Sequence, residues 1–175
     1  MRLSGASALD EVRAGVSLQA IVERHTMDDI VAAVRDAKAG IRYGLAAVDD
    51  AGLRRTGGLD PWSLAEVIGH ALAVDEAAHR IARSLALGRQ PDGDVSYDTP
   101  GPPAAGRTEL LEGLAAAEGR LAEARVLMAG GPRFAHRDLG ELDARGWILF
   151  IGVHDALHLH QAAAIVRTPP RIPRP

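Results

Sequence analysis

Four stretches of this chain place apolar residues at intervals of three and four. Breaks rich in glycine, proline and charge separate them. The first carries Ile30, Val34, Ala37, Ile41, Leu45 and Val48. That spacing lays one apolar stripe along a helix of 3.6 residues per turn, and such a helix must bury its stripe against others. The second runs through Val67, Ala71, Val74, Ala78 and Ile81 to about Leu87. The third runs from about Thr108 through Leu110, Leu111, Leu114, Leu121 and Ala124 to Met128, and the fourth from about Leu142 to Val166. Alanine dominates the apolar set and only 3% of residues are aromatic, which favours helices over strands. The expected fold is all-α, a four-helix bundle.

Helix boundaries are written in the same residues. Thr26 and Asp29 form a capping box ahead of the first main helix. Asp60 can cap the second, with Pro61 in its first turn; Ser63 and Glu66 offer an alternative box, and Gly88 stops it. Asp49 to Gly58 reads as a turn. Gly130, Gly131 and Pro132 end the third helix, and Pro169 and Pro170 the fourth. Arg89 to Arg107 is loop-like, with Pro91, Pro100, Pro102 and Pro103. A linker between two domains is the other reading, but neither half alone has enough helix to bury a core, so it reads as a crossover inside one bundle, between helices two and three. Residues 1–25 hold loosely spaced Leu9, Val12, Val16, Ile21 and Val22. They are expected to form a short helical arm docked on a main domain of residues 26–167, with residues 168–175 a frayed tail.

Composition narrows function. The net charge of −3 offers no basic surface for phosphates, so nucleic acid is not an expected partner. Without cysteine, disulfides, a thiolate zinc site and a cysteine nucleophile are excluded. Met1 to Ala20 has scattered charges and no apolar leader core, and no apolar run looks long enough to span a bilayer. A soluble, cytoplasmic protein without a membrane partner is expected.

Chemistry concentrates in histidine. His154 and His158 are four residues apart, roughly 40° around a helix, so their rings share one face. Two imidazoles at that spacing can bind one ion, and their helix is strongly apolar, where unsatisfied ring nitrogens are costly. Such a pair also arises by chance. His70, on the apolar face of helix two, supplies the third donor. His160 lies roughly 120° from His154 and belongs at the surface, and His79 lies about half a rotation from His70 and points elsewhere. Glu66, one turn before His70, and His136, ahead of helix four, are the candidates for catalytic assistance. Asp155 and His25 are weaker ones. Each of these four has an ordinary structural reading beside the functional one.

Two segments resemble a known family. Trp62-Ser-Leu-Ala-Glu-Val-Ile-Gly-His70 is similar to the Trp-Ser…Glu…His segment of the DinB-like superfamily, which includes the YfiT-like proteins. The stretch from Phe134 to Gln161 resembles its second signature, in which a His-Pro…Gly segment leads into a helix carrying His-(Asp/Glu)-x-x-His and then Gln. Arg137 stands where that proline often stands. The resemblance spans roughly residues 26–167. It implies a four-helix bundle with a long second connection and a metal triad at His70, His154 and His158. The implied cofactors are a divalent ion (Zn, Ni, Fe or Mn, among which imidazoles do not choose) and a low-molecular-weight thiol such as mycothiol or bacillithiol. The implied activities are thiol S-transfer and mycothiol-dependent isomerisation of maleylpyruvate type on a small-molecule substrate. A metal-dependent hydrolase and a non-catalytic metal- or ligand-binding stress protein are the alternatives. The sequence leaves the substrate and the assembly open, a homodimer being one option.

Overall fold

The computed structural model describes residues 2–57, 61–93, 95, 97–126 and 130–167. The helices are α1 (Gly5–Arg13), α2 (Leu18–Glu23), α3 (Met27–Ala46), α4 (Asp50–Leu53), α5 (Leu64–Ala86), α6 (Arg107–Glu123) and α7 (Ala144–Arg167). A 3-10 turn, Ala124–Val126, extends α6. Strands β1 (Phe134–His136) and β2 (Gly140–Leu142) form a small antiparallel hairpin.

The bundle is α3, α5, α6 and α7. Its directions follow from the side chains that meet. Val34, Lys38 and Gly40 of α3 meet Gly152, Asp155 and Leu159 of α7 in turn, so those two run together. Leu72 and Asp75 of α5 meet Gly113 and Arg120 of α6, so these two also run together. Two parallel successive helices need a connection running the length of the bundle. The Arg89–Gly106 loop is that crossover.

The capping boxes form as read. Thr26 accepts from the Asp29 amide at 3.2 Å, and Ser63 caps α5 with Glu66 as its reciprocal partner. Each such cap contributes about 1 kcal/mol. The cap read at Asp60 and the expected end at Met128 lie outside the described residues, as does the 168–175 tail, and Pro61, expected in the first turn of the second helix, precedes the Ser63 cap.

Three readings change. The turn after α3 contains α4, capped by Asp49, and Thr56 then bridges to Ser63. The fourth helix starts at Ala144 rather than Leu142. Leu142 closes the hairpin, Asp143 turns the chain, and its carboxylate accepts from the Gly146 amide at 2.8 Å. Finally, α7 is long and apolar enough, by length and composition, to cross a membrane, but it is mostly buried in the bundle. From Ala144 to Ala156 every residue is buried. The reason is coverage: α1 and α2 pack on α7 beside α3 and α5. Gly5 meets Gly152 so closely that a Cβ on Gly5 would stand 2.2 Å from the Gly152 carbonyl oxygen. The Gln19 amide donates to Asp143 at 3.1 Å and accepts from the Asp143 backbone.

The core divides into two apolar clusters. One gathers Val34, Val74, Ile81 and Trp147 with the α1 and α2 residues; the other gathers Ile41, Leu64, Ile68, Leu114 and Ile165. At the boundary between them each helix turns a polar residue inward.

Candidate metal centre

One group of three histidines lies in that boundary. His70 comes from α5, and His154 and His158 from successive turns of α7; all three are buried. One nitrogen of each lies within 4.8 Å of the others. The Nε2 atoms of His154 and His158 stand 3.1 Å apart. Two ligands about 2.05 Å from a tetrahedral zinc would stand about 3.3 Å apart, so this pair fits a single ion with little movement.

Neighbouring acceptors set the tautomers. His70 Nδ1 lies 2.8 Å from the Thr99 carbonyl and donates to it. His158 Nδ1 lies 2.6 Å from Gln161 Oε1 and donates in the same way. Each Nε2 is then left with its lone pair for an ion. This is the outer shell that metal-binding histidines ordinarily carry. Gln161 belongs to the quoted signature; Thr99 lies in the crossover and had no sequence signal.

The electrostatics agree. Burial lowers the pKa of His70, and burial, then the neighbouring His158 and His70 rings, lowers His154 well below the ordinary histidine value. Both rings are neutral near pH 7, the form that ligates. Trp62, first residue of the α5 motif, packs edge-on against His70 with ring centroids 4.9 Å apart.

The candidate assistants have partners of their own, and His136 still acts electrostatically on His154. The Glu66 carboxylate accepts from the Ser63 amide at 2.7 Å as part of the cap. His136 is buried in β1. Its Nδ1 accepts from the Asp138 and Leu139 amides at 3.1 and 3.3 Å, so Nε2 carries the proton. Its ring lies 4.5 Å from that of Phe150, which in turn lies 5.4 Å from His154. His25 stands half-buried before α3, and its carbonyl accepts from Arg145. His160 is exposed. His79 is buried beside Asp75, its Nε2 3.9 Å from a carboxylate oxygen.

Asp155 takes an inter-helix role, with a partner that sequence reading missed. Lys38 is 1% exposed and donates to Asp75 and, at 3.1 Å, to Asp155. Arg120 reaches the other Asp75 oxygen at 3.0 Å, so all four bundle helices meet in one charge network. Burial opposes the Lys38 charge, but Asp155 and Asp75 outweigh it and hold the ammonium above its ordinary value. Burial pushes Asp155 up to about 6. A signal was present: Lys38 falls in phase with Val34 and Ile41, Asp75 with Ala71 and Ala78, and Asp155 with Ile151. Opposite charges in the apolar phase of three helices belong together.

A family model described as the DinB superfamily matches residues 23–162. The crystal structure of TT2238, a four-helix bundle protein, superposes with a TM-score of 0.62 at 24% identity, over 79% of this chain and 99% of that one. That likeness speaks to the fold. No curated protein matches the chain at a significant level.

Proposed function

The chain belongs to the DinB superfamily, and from that premise we propose that it is a metal-dependent enzyme in which His70, His154 and His158 hold one divalent ion and a small electrophile is the substrate. The observation that carries the reading is the buried triad, in which the Nδ1 protons of His70 and His158 are already placed on Thr99 and Gln161. Three neutral ligands leave a coordination position open, as catalytic sites do. A bound divalent ion supplies a Lewis acid there, one that favours the anionic form of a water or thiol.

The chain's own residues do the rest. Two helices of a packed bundle hold the three imidazoles, so their geometry is set before any ligand arrives. Trp62 and Phe150 flank the rings and keep water from their sides. The chain has no cysteine, so a thiol nucleophile must come from solution. Thiol S-transfer or thiol-dependent isomerisation, activities that recur in the superfamily the chain belongs to, is our reading of the reaction, with Glu66 and His136 outside the ligand set. The test is single-turnover thiol consumption with glutathione, bacillithiol and mycothiol, comparing metal-loaded protein with His154→Ala. The reading expects consumption that requires both the ion and His154. Equal rates for the two proteins with all three thiols would sink thiol transfer and leave hydrolysis or simple binding.

A further inference from the structure

His158 belongs to two places at once. Its ring is part of the triad, and it also lines a cavity of about 290 Å³ among α3, α5 and α7. Small-molecule pockets run upward from about 300 Å³, with apolar walls and a few placed polar groups. This one has that make-up. Ile41, Leu64, Ile68 and Leu159 line it, and among the described residues only His158 and Arg167 bring a basic group to it. Among the described residues no carboxylate lines it. Tyr43 and Val166, 80% and 42% exposed, stand at its margin.

Small residues on α3 make the space. A Cβ on Gly40 would stand 2.9 Å from Leu159 Cδ1, so glycine there lets Leu159 lean onto α3. A Cβ on Gly44 would meet nothing within 4 Å. Glycine inside a helix costs up to about 1 kcal/mol relative to alanine. Gly44 sits one turn beyond Gly40 on the cavity wall, and what it leaves there is empty volume.

We propose that this cavity takes the hydrocarbon part of the substrate, an aliphatic or aryl group, while the reacting end reaches the triad at His158. The proposal rests on the metal-dependent reading only for the position of the reacting end. Continuity argues for a small molecule as occupant: the cavity has one candidate ligand, His158, in its wall, so a substrate whose reacting end is at the triad can lay its tail there. The absence of carboxylates from the described lining argues against a cationic tail.

Straight-chain thiols of two to eight carbons, titrated calorimetrically into the zinc-loaded full chain, test it, with 1-alkanols of the same lengths run on metal-free protein. Affinity rises about fourfold per methylene until the cavity is full. In Gly44→Leu and Ala163→Leu, on opposite walls, that rise flattens and octanethiol loses at least tenfold, while ethanethiol still binds. A flat series in the wild type, with ethanethiol bound, overturns the cavity and leaves the metal centre standing. A rise that persists in both variants places the chain elsewhere and also overturns it. If zinc does not bind, the alkanol series still decides: a chain-length dependence lost in Gly44→Leu keeps the cavity and removes the metal reading. Sedimentation showing that the cavity face is closed in a dimer, which Gly44→Leu dissociates, replaces the small molecule by a second copy and overturns the proposal.

Discussion

His158 and His160 are two residues apart and have opposite fates. His158 is buried against His154 and Gln161, whereas His160 faces solvent. His158→Ala is therefore expected to lose most of the bound metal and His160→Ala to keep it, as read by zinc titration against a chromophoric chelator. Gln161→Leu, which frees the His158 Nδ1 proton, should weaken affinity about 10–100-fold. His79 gives a second test at this scale. Burial lowers it to about 4 from the ordinary 6.5. The unfolded chain then binds the extra proton, so His79 supports stability above pH 6.5 and withdraws that support as pH falls towards 4. The swing approaches about 3 kcal/mol. Asp155, raised to about 6 from 3.8, works in the opposite direction, lost as pH rises through 6. The prediction is thus a difference. His79→Leu should gain on the wild type by that amount between pH 7 and pH 4 in urea unfolding. A difference independent of pH would show that His79 is not buried neutral.

At the scale of elements, the crossover is part of the site. The Gly101 amide donates to the Glu66 carbonyl at 3.0 Å, and a Cβ on Gly101 would stand 2.5 Å from Gly69 Cα and 2.6 Å from the His70 amide. Neither is a flexible side-chain end, so Gly101→Ala must lift the loop off α5. Thr99, two residues away, then loses its hold on His70 Nδ1. The expected result is at least a tenfold loss of metal affinity with helical content unchanged, measured by calorimetry and circular dichroism. This element also marks the limit of sequence reading. Thr26 and Ser63 caps were legible because the box lies within four residues, and the His154–His158 pairing because helical phase is local. The Thr99 contact joins residues 29 apart through a loop without periodicity, and nothing in the string announces it. The hairpin was missed for a related reason. Its strands are three residues each, too short to show alternation, and Gly140, at φ 76°, was the one local mark of the turn.

Across the whole molecule, α7 decides the architecture. It is buried on every side through Ala156 because α1 and α2 cover what α3 and α5 leave open, and the Gly5–Gly152 approach fixes how closely they do so. The bundle and its crossover were legible from four stripes and one proline-rich break. The Lys38–Asp75–Asp155 network left a signal, opposite charges in the apolar phase of three helices, which went unread because each charge sits inside a stripe that otherwise reads as apolar. Breaking one partner of such a buried set leaves an uncompensated charge worth about 3–5 kcal/mol, so the polar boundary also pins the register of the helices that carry the triad. The central claim is that this boundary layer holds one divalent ion on three histidines. Elemental analysis of the dialysed full chain, before and after zinc reconstitution, measures it most directly. The account predicts close to one ion per chain in the wild type and close to none in the His70→Ala, His154→Ala double variant with its helical content retained. A folded wild type that takes up no ion on reconstitution, or a double variant that binds as much as the wild type, would contradict it.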